Sequence, residues 1–267
     1  MIRLARIPLP RGTTEYLEKY GARVEAAPDR KTAAEALWGR NTTVRTKVHP
    51  ELKRILGRMA AGHERCMYCG DNQGCAIDHF EPVAVNPLRV FDWANHLLAC
   101  TVCNSHHKRD AFPRDGENDI PLLLDPTCEE PLHHLHLNLP AGSYTALSTK
   151  GESSIEVFGL NRPVLVKGRT EAYTRARLFL GQWYFTRQRG DLDTAGQIVR
   201  LAWNQPLADV LASMFHQAAH PAAAALFAGE EDLLVLLTDL ETRDAFGAGL
   251  PTADQKGRNL SIALKSE

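Results

Sequence analysis

Two C-x2-C pairs constrain the fold of this chain more than any other feature. Cys66 and Cys69 form the first pair, Cys100 and Cys103 form the second, and 30 residues separate the pairs. A C-x2-C turn supplies two thiolates, and two such turns provide the four ligands of a tetrahedral zinc site. Because four thiolates leave no position for water, the pattern predicts a structural Zn²⁺ site. Reduced structural cysteines without a metal are the alternative.

The remaining composition is typical of a globular protein without membrane segments. The 267 residues are 44% hydrophobic and 24% charged, which is enough for a sizeable core. Six cysteines are too few for a disulfide scaffold at this length. Arginine and proline interrupt the apolar residues of the N-terminal MIRLARIPLPRG, and no stretch approaches the ~18 apolar residues of a membrane span. We therefore expect a cytoplasmic protein with no membrane insertion.

The charges are balanced overall but unevenly distributed. The formal net charge is −1, yet residues 30–65 hold nine Lys or Arg against three Asp or Glu. Residues 162–189 hold seven against one, and residues 230–244 are acidic. This separation is compatible with one positive face for a phosphate backbone. Ordinary solvated helix faces explain it equally well, and both interpretations stay open.

Periodicity predicts helices at the two ends of the chain and short extended segments in its centre. Helices are expected at 13–27, 31–39, 49–62, 97–109, 171–189, 194–205, 206–227 and 230–243, with a break at His220-Pro221. Strands are expected at 75–80, 119–126, 134–143 and 153–160, between proline and glycine turns. The predicted class is α+β, mainly helical, around a zinc-stapled centre.

Between the two cysteine pairs lie residues that suit hydrolysis. Asp78 and His79 are adjacent in AIDHFEP, Asn95 follows, and Asn104 comes directly after the last cysteine. Carboxylate and amide oxygens suit Mg²⁺ or Mn²⁺, and a neutral histidine can take a proton from water. Together they predict a hydrolytic phosphodiesterase with a divalent ion on the scissile phosphate. The alternative is a structural Asp-His pair.

The stretches CMYC, IDHFEP and DWANHLLACTVCN, in this order, resemble the HNH endonuclease family. That family follows the pattern C-x2-C, D-H-x-x-P, N, C-x2-C-N and has a ββα-metal fold. The resemblance implies that Asp78 and Asn104 hold the catalytic Mg²⁺ or Mn²⁺ and that His79 is the general base. It implies that Asn95 braces the loop and orients His79 through hydrogen bonds.

The segment after Asn104 departs from the family pattern. Family members commonly carry a lysine three residues after this asparagine, whereas this chain has His107 there and Lys108 next. It stays open whether His106 or His107 contacts phosphate, shares in metal binding, or does neither. The candidate phosphate contacts are His106, His107, Lys108 and Arg109.

A looser resemblance over about residues 60–175 extends to the PtuB-like HNH nucleases of prokaryotic anti-phage defence, which work with an ATPase. It implies a DNA endonuclease that acts with an ATPase or another defence-system partner, and the motif is also compatible with RNA. The alternatives are a non-catalytic zinc-stapled nucleic-acid-binding or assembly module and a restriction or mobile-element HNH nuclease.

Two further groups of residues each allow two interpretations. Contact with the DNA backbone and structural ion pairs are both open for Arg162, Arg169, Arg175 and Arg177. His134 and His136 are either part of a second metal site or ordinary surface or core histidines.

The resemblance also sets the expected organisation of the chain. It divides into an N-terminal helical arm (1–62), the HNH ββα-metal nuclease motif (63–115), a mixed β/α extension (116–190) and a C-terminal helical region (191–267).

Overall fold

A computed structural model describes residues 1–249, so the last part of the predicted C-terminal region, 250–267, lies outside the described residues. The described part is mainly helical, as the sequence predicts. Its α-helices are Arg11–Glu25 (α1), Arg30–Arg40 (α2), His49–Met59 (α3), Thr149–Val157 (α4), Pro163–Gln188 (α5), Leu192–Asn204 (α6), Asp209–Ala218 (α7), Ala223–Leu226 (α8), Glu231–Thr238 (α9) and Leu240–Gly249 (α10). None of the helices within residues 1–249 combines the length and apolar character needed to cross a bilayer.

Two small antiparallel sheets lie in the centre of the chain. Strand β1 (Ala76–His79) pairs with β2 (His96–Ala99), and His79 lies opposite His96. Strand β3 (Leu135–Asn138) pairs with β4 (Ser143–Ala146). The strand predicted at 75–80 is therefore confirmed, whereas the segment predicted as one strand at 134–143 contains β3, a turn and the first residue of β4. Because side chains alternate along a strand, Asp78 and His79 point to opposite faces of the first sheet.

The helix predicted at 97–109 is wrong in its first half. His96–Ala99 is a strand with all four residues buried, and a π-helix, Val102–Lys108, begins only after Cys100. The strand forms because β1 satisfies its backbone groups and protein covers both faces. The π-helix closes with a hydrogen bond from the Arg109 N–H to the Asn104 carbonyl oxygen at 2.7 Å.

The strand predicted at 153–160 is also wrong, because α4 occupies most of that segment. Ser148 caps this helix by accepting a hydrogen bond from the Gly151 N–H at 3.1 Å, which favours helix over strand. No strand forms over residues 119–126, so the strand predicted there is wrong as well. These residues contribute an isolated bridge between Arg114 and Pro121, and Leu123 and Leu124 are buried beside it.

Within residues 1–249, the buried apolar residues form two cores. The larger core joins the cysteine turns, β2, α5 and the C-terminal helices. The smaller core, here called the arm core, joins the N-terminal helices to the loop before β2; it contains Leu17, Tyr20, Val24, Ala34, Val44, Val48, Leu52, Val90 and Phe91. The arm core therefore fixes the N-terminal helices against the loop that connects β1 to β2.

Candidate functional site

The four paired cysteines form a compact buried cluster. Their Sγ atoms all lie within 4.8 Å of one another, and Cys69 Sγ is 4.0 Å from Cys100 Sγ. Zinc–sulfur bonds of ~2.3 Å in a tetrahedron require sulfur–sulfur distances of about 3.8 Å. Among residues 1–249, no other group of three or more His, Cys, Asp or Glu side chains has this ligand geometry. The predicted four-cysteine cluster is confirmed, and its donor set fits a zinc ion.

Local hydrogen bonds shape both cysteine turns. The Cys66 N–H donates to the Asn72 carbonyl at 2.8 Å, and the Gly70 N–H donates to the Cys66 carbonyl at 2.9 Å. Gly70 has φ of +70°, a conformation that a side chain disfavours, so glycine closes the turn. In the second turn, the Cys103 N–H donates to Cys100 Sγ at 3.4 Å. The backbone therefore sets the positions of the sulfur atoms.

Two cations can compensate the negative charge of the four cysteine thiolates. Burial raises the pKa of the Cys66 thiol, so a buried set of thiolates requires a cation. A bound zinc ion would supply most of that charge. Arg162 supplies more, because both terminal nitrogens of its guanidinium group lie 3.6 Å from Cys103 Sγ. Two roles are open for Arg162, phosphate contact and a structural ion pair, and this contact with Cys103 favours the structural role. The two residues are 59 positions apart in the sequence.

Asp78 is buried and already paired with a cation. Its carboxylate lies 3.2 Å from Lys108 Nζ and accepts a hydrogen bond from the Tyr68 hydroxyl. Lys108 also donates to the His79 carbonyl oxygen at 2.7 Å, and its side chain is 0% exposed. Burial raises the pKa of Asp78, whereas Lys108 opposes that shift.

Lys108 was a candidate phosphate contact, but the structure places its ammonium group inside the protein on Asp78. The lysine comes four residues after Asn104 rather than three. A π-helix has a wider turn than an α-helix, and this accommodates the extra residue while directing Lys108 towards β1.

His79 is held by a backbone carbonyl. Its Nε2 donates to the Val90 carbonyl oxygen at 3.0 Å, which leaves Nδ1 as the nitrogen that can accept a proton. His96, opposite it in register, donates from Nε2 to the same oxygen at 2.9 Å. Burial lowers the pKa of His79 to about 4, more than the Val90 hydrogen bond raises it, so its imidazole is neutral at pH 7.

Asn95 is fully buried and holds the loop between the two strands. Its amide oxygen accepts from the Glu81 N–H at 2.8 Å. Its amide nitrogen donates to the carbonyl oxygens of Glu81 at 3.0 Å and Arg89 at 3.1 Å. Arg89 directly precedes Val90, so Asn95 fixes the backbone that carries the His79 acceptor and makes no hydrogen bond to the His79 ring.

The other predicted site residues lie on the outer side of the π-helix. Asn104 is partly exposed, while His106, His107 and Arg109 are exposed. The His107 ring lies over Gly159, where an added Cβ would come 2.4 Å from the ring. These side chains can meet a ligand from solvent, although they lie outside the buried Asp78–Lys108 pair.

The three other candidate arginines, which all lie in α5, have partners within the protein. Arg169 is buried and lies 3.2 Å from Asp209. Arg175 donates to Gln205 at 2.8 Å, and Arg177 lies 2.9 Å from Glu230. These contacts favour the structural role over phosphate contact.

His134 and His136 form no metal group within residues 1–249. His134 Nδ1 instead lies 2.8 Å from Ser148 Oγ.

Comparison with known proteins finds a distant relative. The chain is 28% identical over 149 residues to the Septu protein PtuB of Bacillus mycoides (strain KBAB4). The similar segment covers 45% of this chain and 50% of the relative, so the chain matches about half of that protein's length. No family model and no solved structure matches the chain. Membership of the HNH family therefore stays a prediction based on the motif.

Proposed function

We propose that this protein is an HNH-type endonuclease that hydrolyses DNA phosphodiester bonds in prokaryotic anti-phage defence. The observation that carries the proposal is His79, held through Nε2 on the Val90 carbonyl at the end of β1, whose partner strand β2 ends directly before Cys100. The similarity to a protein named Septu PtuB supports the defence role. An ATPase or another defence protein is the partner we propose.

In the proposed reaction, His79 is the general base. Its Nδ1 takes a proton from a water molecule whose oxygen attacks phosphorus, and the bond between phosphorus and the 3′ oxygen breaks. The products are a 5′-phosphate and a 3′-hydroxyl, whose proton comes from solvent. A base with a pKa of about 4 is weak. A phosphate anion beside the ring raises that pKa, because opposite charge stabilises imidazolium.

A catalytic Mg²⁺ or Mn²⁺ on Asp78 and Asn104 belongs to the hypothesis, but these residues do not fit such an ion in the present conformation. Asp78 is buried, and Lys108 and Tyr68 already occupy its oxygens. A divalent ion would have to displace the Lys108 ammonium group. We therefore assign no step of the reaction to this ion.

The exposed side of the π-helix is the proposed phosphate-binding surface. His106, His107 and Arg109 lie there, on the segment that begins at the second cysteine turn. Contacts of this kind position a nucleic acid without reading its sequence. We expect binding to weaken as salt rises, because phosphate contacts release counterions.

The test is a nicking assay on supercoiled plasmid in increasing Mg²⁺ or Mn²⁺, with an RNA substrate as a parallel arm. We expect the wild type to nick DNA and His79→Ala to lose nicking while keeping zinc content and folding. His63→Ala, at an exposed histidine outside the site, is the matched control and should behave as wild type. DNA binding without cleavage at every metal concentration would instead support the non-catalytic zinc module.

A further inference from the structure

The N-terminal helices contain no chemical motif, yet one of their side chains reaches the proposed base. The Trp38 ring, near the end of α2, meets the His79 ring edge to face, with centroids 4.6 Å apart. The same ring stacks on His96 at 5.0 Å and contacts His49 at 4.3 Å. Trp38 therefore contacts both histidines that donate to the Val90 carbonyl.

The arm core fixes Trp38 in this position. Phe91 contacts Trp38 at 5.6 Å and Tyr20 of α1 at 5.6 Å. Val90, which carries the shared carbonyl, is buried in the same core. The N-terminal helices and the hydrogen-bond acceptor of His79 are consequently parts of one packed unit.

The two imidazoles share one acceptor, so their orientation requires support from neighbouring side chains. A carbonyl oxygen has two lone pairs, and His79 and His96 each use one. Their rings lie 5.1 Å apart at 65°. Rotation of the His79 ring would break the hydrogen bond from Nε2 to the Val90 carbonyl oxygen and would change the direction in which Nδ1 points. Trp38 lies against the ring and opposes this rotation.

We infer that Trp38 is a positioning residue for His79, so that α2 contributes a side chain to the proposed active site. Its ring holds the imidazole on the Val90 carbonyl and keeps Nδ1 available to water. This inference rests on the proposed role of His79 as the base, whereas the ring geometry itself can be measured without any activity.

The experiment compares Trp38→Ala, Trp38→Phe and Leu17→Ala in the full chain. Leu17→Ala is the matched control, because it weakens the same arm core from α1. ¹⁵N spectra of histidine-labelled protein report the His79 tautomer, with its signals assigned by their loss in His79→Gln. The kcat and KM for DNA cleavage are measured on the same samples.

In the wild type and Leu17→Ala, we expect His79 to carry its proton on Nε2. Trp38→Ala should mix the two tautomers and lower kcat about tenfold to hundredfold with little change in KM, since a misplaced base loses most of its effect. Trp38→Phe should restore most of kcat, because it keeps an aromatic ring against the imidazole.

An unchanged tautomer together with wild-type kcat in Trp38→Ala would overturn the inference. So would an equal loss of kcat and tautomer order in Leu17→Ala, since that would indicate a general effect of core stability. If His79→Ala cleaves DNA normally, the proposed function fails, and the tautomer spectra still decide whether Trp38 positions the ring.

Discussion

Acid should destabilise the protein through His79, and the structure sets the size of the effect. The pKa of His79 falls from an ordinary 6.5 to about 4, chiefly because the ring is buried. Between these values the unfolded chain binds a proton that the folded chain does not bind. Folding stability is therefore complete above pH 6.5, falls as the pH drops below 6.5, and reaches its minimum below about pH 4.

The magnitude follows from the lowering of the His79 pKa from 6.5 to about 4. At 1.36 kcal/mol per unit, protonation of this site costs about 3 kcal/mol in total. About 2 kcal/mol of that is reached by pH 5. Burial also lowers the pKa of His49 and His96, so these histidines act in the same direction.

The assay is urea unfolding of the wild type and His79→Gln at pH 7 and pH 5. We expect the loss of unfolding free energy between the two pH values to be about 2 kcal/mol smaller in the variant, because glutamine does not titrate. His63→Ala, at an exposed position outside the site, is the control variant. Equal pH dependence in the wild type and His79→Gln would refute a buried, neutral His79.

Two further predictions concern the charges around the site. Lys108→Met leaves the buried Asp78 carboxylate without its cation and should lower the free energy of unfolding by about 3–5 kcal/mol. Added Mn²⁺ should recover part of this loss in the variant but should not stabilise the wild type. If Mn²⁺ does not change the unfolding curve of the variant, lysine and metal do not compete for Asp78. Arg162→Gln removes a cation from Cys103 and should raise the zinc dissociation constant about tenfold, measured by competition with a chromogenic chelator; unchanged zinc affinity would show that the arginine does not stabilise the bound metal.

The cysteine cluster could be predicted because its signal is local. Each pair sits in one tight turn, and thiolates in this spacing have few uses in a long chain besides zinc. The strand that contains Asp78 and His79 was also predicted at its observed place. The helix predicted from Leu97 was wrong at its start, because an apolar run of four residues satisfies helix and strand patterns alike.

The contacts of Trp38 and Arg162 with the site could not be predicted from the sequence, because they join segments that are far apart along the chain. Trp38 precedes His79 by about forty residues, and Arg162 lies 59 residues beyond Cys103. No periodicity joins such positions, since only the packing of the arm core and α5 brings them to the site. Lys108 was predicted to be near the site, but its inward direction depends on the π-helix, which has no simple pattern of residues.

The most direct test of the central claim is single-turnover DNA cleavage in ¹⁸O-labelled water by the zinc-loaded wild type and His79→Ala. If His79 activates water, the wild type will release 5′-phosphate ends that each carry one ¹⁸O atom, and the variant will release almost none at equal zinc content. Cleavage by the variant at the wild-type rate, or wild-type products that end in 3′-phosphate, would contradict the account.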